Sequence, residues 1–158
     1  IDALYDDILM WEIWQVHGPR WRSDPQHFGE ETGRLVEAAA SATEERHGAA
    51  ISRRDQLLPG LDATLPGLDL LVTPAAPFVA PATTPPMDTP EGEAEGRFTK
   101  VFNLTGAPAL VLPCGWTRDG LPTSLQLVGR RGEDGALLAA AALVEAVLDV
   151  PRREPVTG

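Results

Sequence analysis

The stretch that decides the fold reads Phe98-Thr-Lys-Val-Phe-Asn-Leu-Thr-Gly-Ala-Pro108, Ala109-Leu-Val-Leu-Pro-Cys-Gly115, then Asp119-Gly-Leu-Pro122 and Leu125-Gln-Leu-Val-Gly129. It predicts a short helix, a strand over 109–112 between two prolines, a turn at 119–122 and another strand over 124–128. The first of these strands is apolar throughout, which is typical of strands covered on both faces. Together these elements indicate part of an α/β layer.

The residues before this stretch predict three helices. The first spans 3–17 and ends at Gly18-Pro19. The second begins at Asp24-Pro25, where a capping residue precedes a first-turn proline, and continues to about His47. The third covers 51–65. This part of the chain is therefore expected to be helical.

An apolar run over 68–73, which Pro74 ends, predicts one more buried strand. A proline-rich loop is expected over 75–96, because this segment turns acidic and shows no periodic apolar pattern. A last helix begins near Glu133 and Asp134, and its buried face is predicted to contain Leu137, Ala141, Val144 and Leu148. The tail from 151 is expected to fray.

The composition excludes several kinds of partner. The 158 residues carry a formal net charge of -10, which argues against nucleic acid and acidic membrane surfaces. Cys114 is the single cysteine, so no disulfide can form within the chain, and a reducing, cytoplasmic setting is expected. No apolar run is long enough to cross a bilayer. Since the first residue is Ile1, the chain is expected to be a piece of a longer protein.

Several short motifs, in this order and spacing, resemble the closing part of the amidase signature family. They are Asp24-Pro25, Asp69-Leu-Leu-Val-Thr-Pro74, Asn103-Leu-Thr-Gly-Ala-Pro108, Leu112-Pro-Cys-Gly115, Gly120-Leu-Pro122 and Leu125-Gln-Leu-Val-Gly129. The resemblance implies an α/β fold with a mixed β-sheet flanked by helices, of which this chain is the C-terminal part. Residues 1–158 would form one segment of a single domain, helical over 1–65 and strand/helix over 66–150.

The resemblance implies hydrolysis of small-molecule amides by two serines and a lysine, with no cofactor and no metal. None of these catalytic residues is matched here. The only lysine, Lys100, lies in a different context, and no serine has the glycine-rich surroundings of the nucleophile; the serines considered are Ser23, Ser41, Ser52 and Ser124. We therefore expect the chemistry to lie upstream, in a missing N-terminal half of the domain. The chain alone should be inactive.

Four residues are candidates for contact with substrate. Thr73, Pro74 and Phe78 follow the carboxyl end of a strand, where open α/β sheets bind ligands, although a strand cap and loop packing would explain them too. Arg34 lies in Phe28-Gly-Glu-Glu-Thr-Gly-Arg34, which resembles a stretch of the tRNA-dependent amidotransferase subunit of the family, where an arginine can hold a substrate carboxylate. Its alternative is an ion pair with Glu30 or Glu37 on a helix surface.

Three other constellations are considered. Cys114 could be a nucleophile only beside a base, and the sequence places no histidine near it; a small buried residue is the simpler interpretation. Glu44-x-x-His47 has the spacing of helical di-metal sites, but no second such motif is present, so a charged helix end explains it better. The tryptophans at 11, 14 and 21 could stack on a ligand, whereas helix packing explains them equally simply.

Two alternatives to a hydrolase remain open. A glutamine amidotransferase subunit is one, although the position where that subunit carries an acidic residue is Gly96 here, beside Glu95. A non-catalytic binding module of amidase type is the other. A fragment should expose an apolar patch, so dimerisation or dye binding by the isolated chain is also predicted.

Overall fold

The computed structural model describes residues 1–64, 67–86 and 89–152. The chain divides into two compact units, Ile1–Leu61 and Asp62–Gly158, which are taken one at a time below. The predicted boundary at 65–66 and the tail after 152 lie outside the described residues. No helix within the described ranges combines the length and the apolar character needed to cross a membrane.

The first unit opens with a helix longer than expected. Helix α1 spans Asp2–Ser23 and passes through Gly18 and Pro19, so the predicted end at this pair is wrong. Pro19 removes one helical hydrogen bond, yet the helix continues because its side chains pack across the site. Gly18 is buried against Trp14, and a Cβ at Gly18 would lie 2.8 Å from Cδ2 of that indole. The Arg22 guanidinium lies 4.5 Å from the centre of the same ring.

The predicted second helix is three elements rather than one. Pro25–His27 forms a 3-10 turn, helix α2 covers Glu30–Ala39, and helix α3 covers Glu44–Thr64. Short polar side chains end and restart the helix between α2 and α3: the Ser41 hydroxyl donates to the Ala38 carbonyl at 2.9 Å, and Thr43 Oγ1 accepts from the Arg46 amide at 3.4 Å. Such local bonds compete with helix continuation. The predicted third helix is thus the later part of α3.

The tryptophans of this unit pack against their neighbours. Trp21 meets Phe28 edge to face, with ring centres 5.5 Å apart, and also lies against Gly33. Trp11 stacks on His47 at 5.8 Å. Each indole therefore has an intramolecular contact of the kind that stabilises helix packing.

The second unit contains a three-stranded sheet in the order β1-β3-β2, where β1 is Leu71–Pro74, β2 is Ala109–Trp116 and β3 is Pro122–Val128. Both pairings are antiparallel. The predicted end of β2 at 112 is wrong, because the strand continues to Trp116 through a register shift between Pro113 and Gly115. A proline is compatible with a strand at the edge of a sheet, which is where β2 lies.

One face of the sheet packs against helix α6, Asp134–Leu148. Their common core contains Leu112, Leu127, Leu137 and Ala141, with Val144 partly buried against it. Leu137, Ala141 and Val144 thus lie on the predicted buried face. Helix α5, Lys100–Thr105, precedes β2 and ends at Gly106, whose φ of 67° is the left-handed conformation that glycine adopts at helix ends. These elements confirm the predicted α/β class.

The predicted loop over 75–96 contains one helix, so the expectation of a structureless segment is wrong at its end. Helix α4 spans Pro90–Glu95. Thr89 Oγ1 accepts a hydrogen bond from the Gly92 amide at 3.2 Å, and Pro90 occupies the first turn. This cap and the acidic residues of the first turn stabilise the helix despite its short length. Residues 87 and 88 of the predicted loop lie outside the described part.

Candidate functional site

The carboxyl end of β1 carries three of the four predicted substrate contacts. Thr73 and Pro74 are the last two residues of the strand and pair with Gln126 and Leu125 of β3. The chain then bends over 75–78, which brings it to Phe78, an exposed aromatic side chain. The structure therefore places the three residues on one short segment at a strand end, the arrangement from which a pocket wall can be built.

A buried amide fixes this strand end. Gln126 is 2% exposed, and its Nε2 donates to Thr73 Oγ1 at 2.9 Å and to the Phe98 carbonyl at 2.8 Å. Both hydrogens of the side-chain amide are used, so the group is well satisfied despite its burial. The Gln126 side chain thereby joins three segments: β1, β3 and the residues just before α5. We call Gln126, Thr73 and Phe98 the amide clamp.

The amide clamp was not among the predicted site residues. Its signal in the sequence is a single polar residue within the apolar run Leu125-Gln-Leu-Val128. Such a residue must find hydrogen-bond partners when its strand is covered on both faces. The sequence does not say which partners these are, because Thr73 and Phe98 are 53 and 28 residues away.

Arg34 has a different setting. It lies on α2 in the first unit, with an exposed side chain that makes ion pairs with Glu30 and Glu31, the second at 3.1 Å. Glu37, the other partner considered from the sequence, is not one of these. Both partners lie three or four residues before the arginine, the normal spacing of ion pairs on a helix surface.

The described residues bring no nucleophile and base together. Cys114 Sγ lies 3.5 Å from Thr123 Oγ1, and the three histidines belong to the first unit. His27 pairs with Asp24 at 2.6 Å, and His17 meets Phe28 edge to face. In the described ranges, no group of three histidine, cysteine or acidic side chains is placed to hold a metal ion. Glu44-x-x-His47 therefore lacks the further ligands that a metal site needs.

A family model described as Amidase matches residues 13–138, most of the chain. This chain belongs to the amidase signature family. The amidase chain is 35% identical over 153 residues to a glutamyl-tRNA(Gln) amidotransferase subunit of Chloroflexus aggregans, covering 92% of its own length and 30% of the relative. It is 36% identical over 95 residues to a fatty acid amide hydrolase of Medicago truncatula, covering 56% of its own length and 16% of that protein.

A solved amidase structure is similar over nearly all of this chain. The TM-score is 0.78 at 30% identity, and the similar region covers 91% of this amidase chain but 34% of the solved one. The chain thus spans about a third of that structure and less than a third of the two relatives. The helices and the small antiparallel sheet described above are accordingly a part of the amidase fold.

Proposed function

We propose that this chain is the C-terminal part of an amidase that cleaves carboxamide C–N bonds with a Ser-Ser-Lys triad supplied by another part of the domain. The carrying observation is the family match over 13–138 together with coverage of only 34% of a similar amidase structure. The serine contacts support it: Ser23, Ser41 and Ser52 donate to main-chain carbonyls of their own helices at 3.2, 2.9 and 3.0 Å. A nucleophilic serine instead needs a base within reach.

In the proposed reaction, the serine oxygen attacks the amide carbon and its proton passes through the second serine and the lysine to the leaving nitrogen. The C–N bond then breaks, ammonia or an amine leaves, and the acyl group stays on the serine as an ester. Water attacks that ester, restores the serine hydroxyl and releases the acid. The reaction needs no cofactor or metal, and the lone cysteine of the chain fits a cytoplasmic enzyme.

The part that we assign to this chain is a wall of the substrate pocket. Thr73, Pro74 and Phe78 support this role because they lie at a strand end, and the exposed Phe78 ring offers an apolar surface to an acyl group. The amide clamp contributes by fixing the Thr73 side chain. Pre-set pocket walls reduce the entropy lost when a substrate binds.

Arg34 is proposed as a further contact for substrates that carry a carboxylate. Its guanidinium is exposed and already bound by carboxylates, those of Glu30 and Glu31, so a substrate carboxylate would exchange with a chemically equal partner. The proposal for Arg34 is therefore conditional on a charged substrate, whereas the proposal for Thr73, Pro74 and Phe78 is not.

A second candidate is the amidase subunit of a glutamine amidotransferase. It is favoured by the 92% coverage of this chain in the match to the amidotransferase subunit. In that case ammonia would pass to a partner subunit rather than to water. Glutaminase activity that exceeds activity on simple amides would select this candidate.

The test compares the 158-residue chain with the complete product of its gene on a panel of simple amides and glutamine, with ammonia release as the readout. The complete product should release ammonia, and the chain alone should not. Size-exclusion chromatography with light scattering checks whether the isolated chain forms the expected dimer. Ammonia release by the chain alone that survives Cys114→Ala would overturn the claim that its chemistry lies elsewhere. A complete product that hydrolyses none of the amides would favour a non-catalytic module.

A further inference from the structure

Helix α6 has two apolar faces, and the sheet covers only one of them. The buried face contains Leu137 and Ala141. The second face follows the spacing i, i+4, i+7 and i+11 through Ala136, Ala140, Leu143 and Val147. Leu143 is 71% exposed and Val147 is 85% exposed. A helix that is apolar on more than one side is normally buried by more than one neighbour, so this face is suited to a second contact.

The second face of α6 forms one wall of a groove of about 420 Å³. Leu70, just before β1, and Leu143 are among its apolar lining residues, while Asp69 and Glu133 place charges there as well. This volume accommodates several aliphatic side chains. The groove adjoins the start of β1, because Leu71 pairs with Val128 and the groove is lined by Leu70 and Gly129 on either side of that pair.

The two outer strands of the sheet differ in how their edges are protected. Strand β2 contains Pro113 and a register shift, devices that keep an edge from pairing with another strand. Strand β1 has no such device over Leu71–Thr73, and in the described part of the chain it pairs with β3 alone. Val72 of β1 is 58% exposed. The open edge of the sheet is therefore the one that adjoins the groove.

We infer that the outer edge of β1 and the second face of α6 form one docking surface, and that its occupant is the rest of the amidase domain. A β-strand would pair along β1, and an apolar segment would cover Leu143 and Val147. The argument for this occupant is length: the chain covers 34% of a similar amidase structure, so about two thirds of such a domain is available to pack against it. The inference rests on the proposed function.

Helix α6 offers a matched control for a test of this surface. Leu138 is also a leucine and is 60% exposed, but it lies seven residues before Glu145, on the charged side of the helix and away from the groove. Leu143→Glu and Leu138→Glu thus make the same chemical change on two sides of one helix. Both are made in the 158-residue chain and in the complete gene product, and the midpoint of thermal unfolding is measured.

In the isolated chain both leucines are exposed, so neither substitution should shift the midpoint by more than about 2 °C. In the complete product, Leu143→Glu would bury a carboxylate in an apolar contact and should lower the midpoint by roughly 5–10 °C, while Leu138→Glu leaves it unchanged. If the complete Leu143→Glu product does not fold, Leu143→Ala and Leu138→Ala give the same comparison with smaller shifts.

Equal shifts for the two complete variants would overturn the docking surface. So would a homodimer of the complete product that Leu143→Glu dissociates and Leu138→Glu does not, because the occupant would then be a second copy. Amide hydrolysis by the unsubstituted complete product is measured in parallel and separates the two proposals. Hydrolysis with equal shifts contradicts the docking surface alone, whereas a selective shift without hydrolysis contradicts the proposed function alone.

Discussion

Gln126 donates one amide hydrogen to Thr73 across the β1–β3 pairing, at 2.9 Å, and thereby fixes the side chain at the end of β1. Its other amide hydrogen bonds to the Phe98 carbonyl at 2.8 Å, so a single side chain holds the strand end and the segment before α5 together. Buried polar groups with all hydrogens satisfied favour one arrangement of the segments that they join.

The amide clamp should appear as a coupling free energy in a double-mutant cycle. Gln126→Leu leaves the Phe98 carbonyl without its partner and should lower the free energy of unfolding by about 2 kcal/mol, and Thr73→Val should lower it by about 1 kcal/mol. Because both substitutions remove the same bond, the double variant should cost less than the sum by about 1 kcal/mol. Urea unfolding followed by circular dichroism measures all four proteins. Strictly additive costs would show that the Gln126–Thr73 bond contributes nothing to stability.

The packing of Trp14 on Gly18 makes a second prediction. Gly18→Ala gains helix propensity of about 1 kcal/mol, but its Cβ would lie 2.8 Å from a ring atom that cannot move without shifting the whole indole. Overpacking of this kind costs about 1–3 kcal/mol, so we expect a net loss of stability and a changed tryptophan fluorescence.

Gly48 in α3 is the matched control for Gly18, because a Cβ there meets nothing within 4 Å. Gly48→Ala should therefore raise the free energy of unfolding by up to about 1 kcal/mol. Opposite signs for the two substitutions are the expected result, measured by urea unfolding of the first unit. Stabilisation by both would show that Trp14 does not restrict position 18.

The cap of helix α4 accounts for a third prediction. Thr89 Oγ1 accepts from the Gly92 amide, and this bond is lost in Thr89→Ala. The loss should cost about 1 kcal/mol of local helix stability and speed hydrogen exchange of the amides over 92–95. Thr89→Ser keeps the acceptor and should leave exchange nearly unchanged. Equally fast exchange in both variants would contradict a capping role for the hydroxyl.

The sequence predicted best where the signals are local. The stretch over 98–129 contains a helix-ending Gly106 and a turn at Gly120, both with positive φ, and its elements lie where expected. The errors have a common physical cause. The helix continues through Pro19 because Trp14 packs on Gly18, and it breaks near Ser41 through side-chain bonds that propensity does not register.

The candidate site could be predicted only in part for a related reason. Thr73 and Pro74 follow an apolar run, so their place at a strand end is readable from the sequence. The contact of Gln126 with Phe98 depends on how β3 meets a segment 28 residues earlier, and no local pattern encodes that distance. The role of Phe78 stays a prediction, because the residues that would face it are supplied from outside this chain.

The role of Phe78 can be tested by kinetics on the complete gene product. Phe78→Ala removes an exposed ring that we assign to the acyl side of the pocket, so KM for amides with long apolar acyl groups should rise about tenfold, with a smaller effect on short ones. Leu121→Ala is the control, because Leu121 is 37% exposed against 38% for Phe78 but lies in the turn between β2 and β3. Kinetic constants unchanged by Phe78→Ala, or changed equally by Leu121→Ala, would remove Phe78 from the pocket wall.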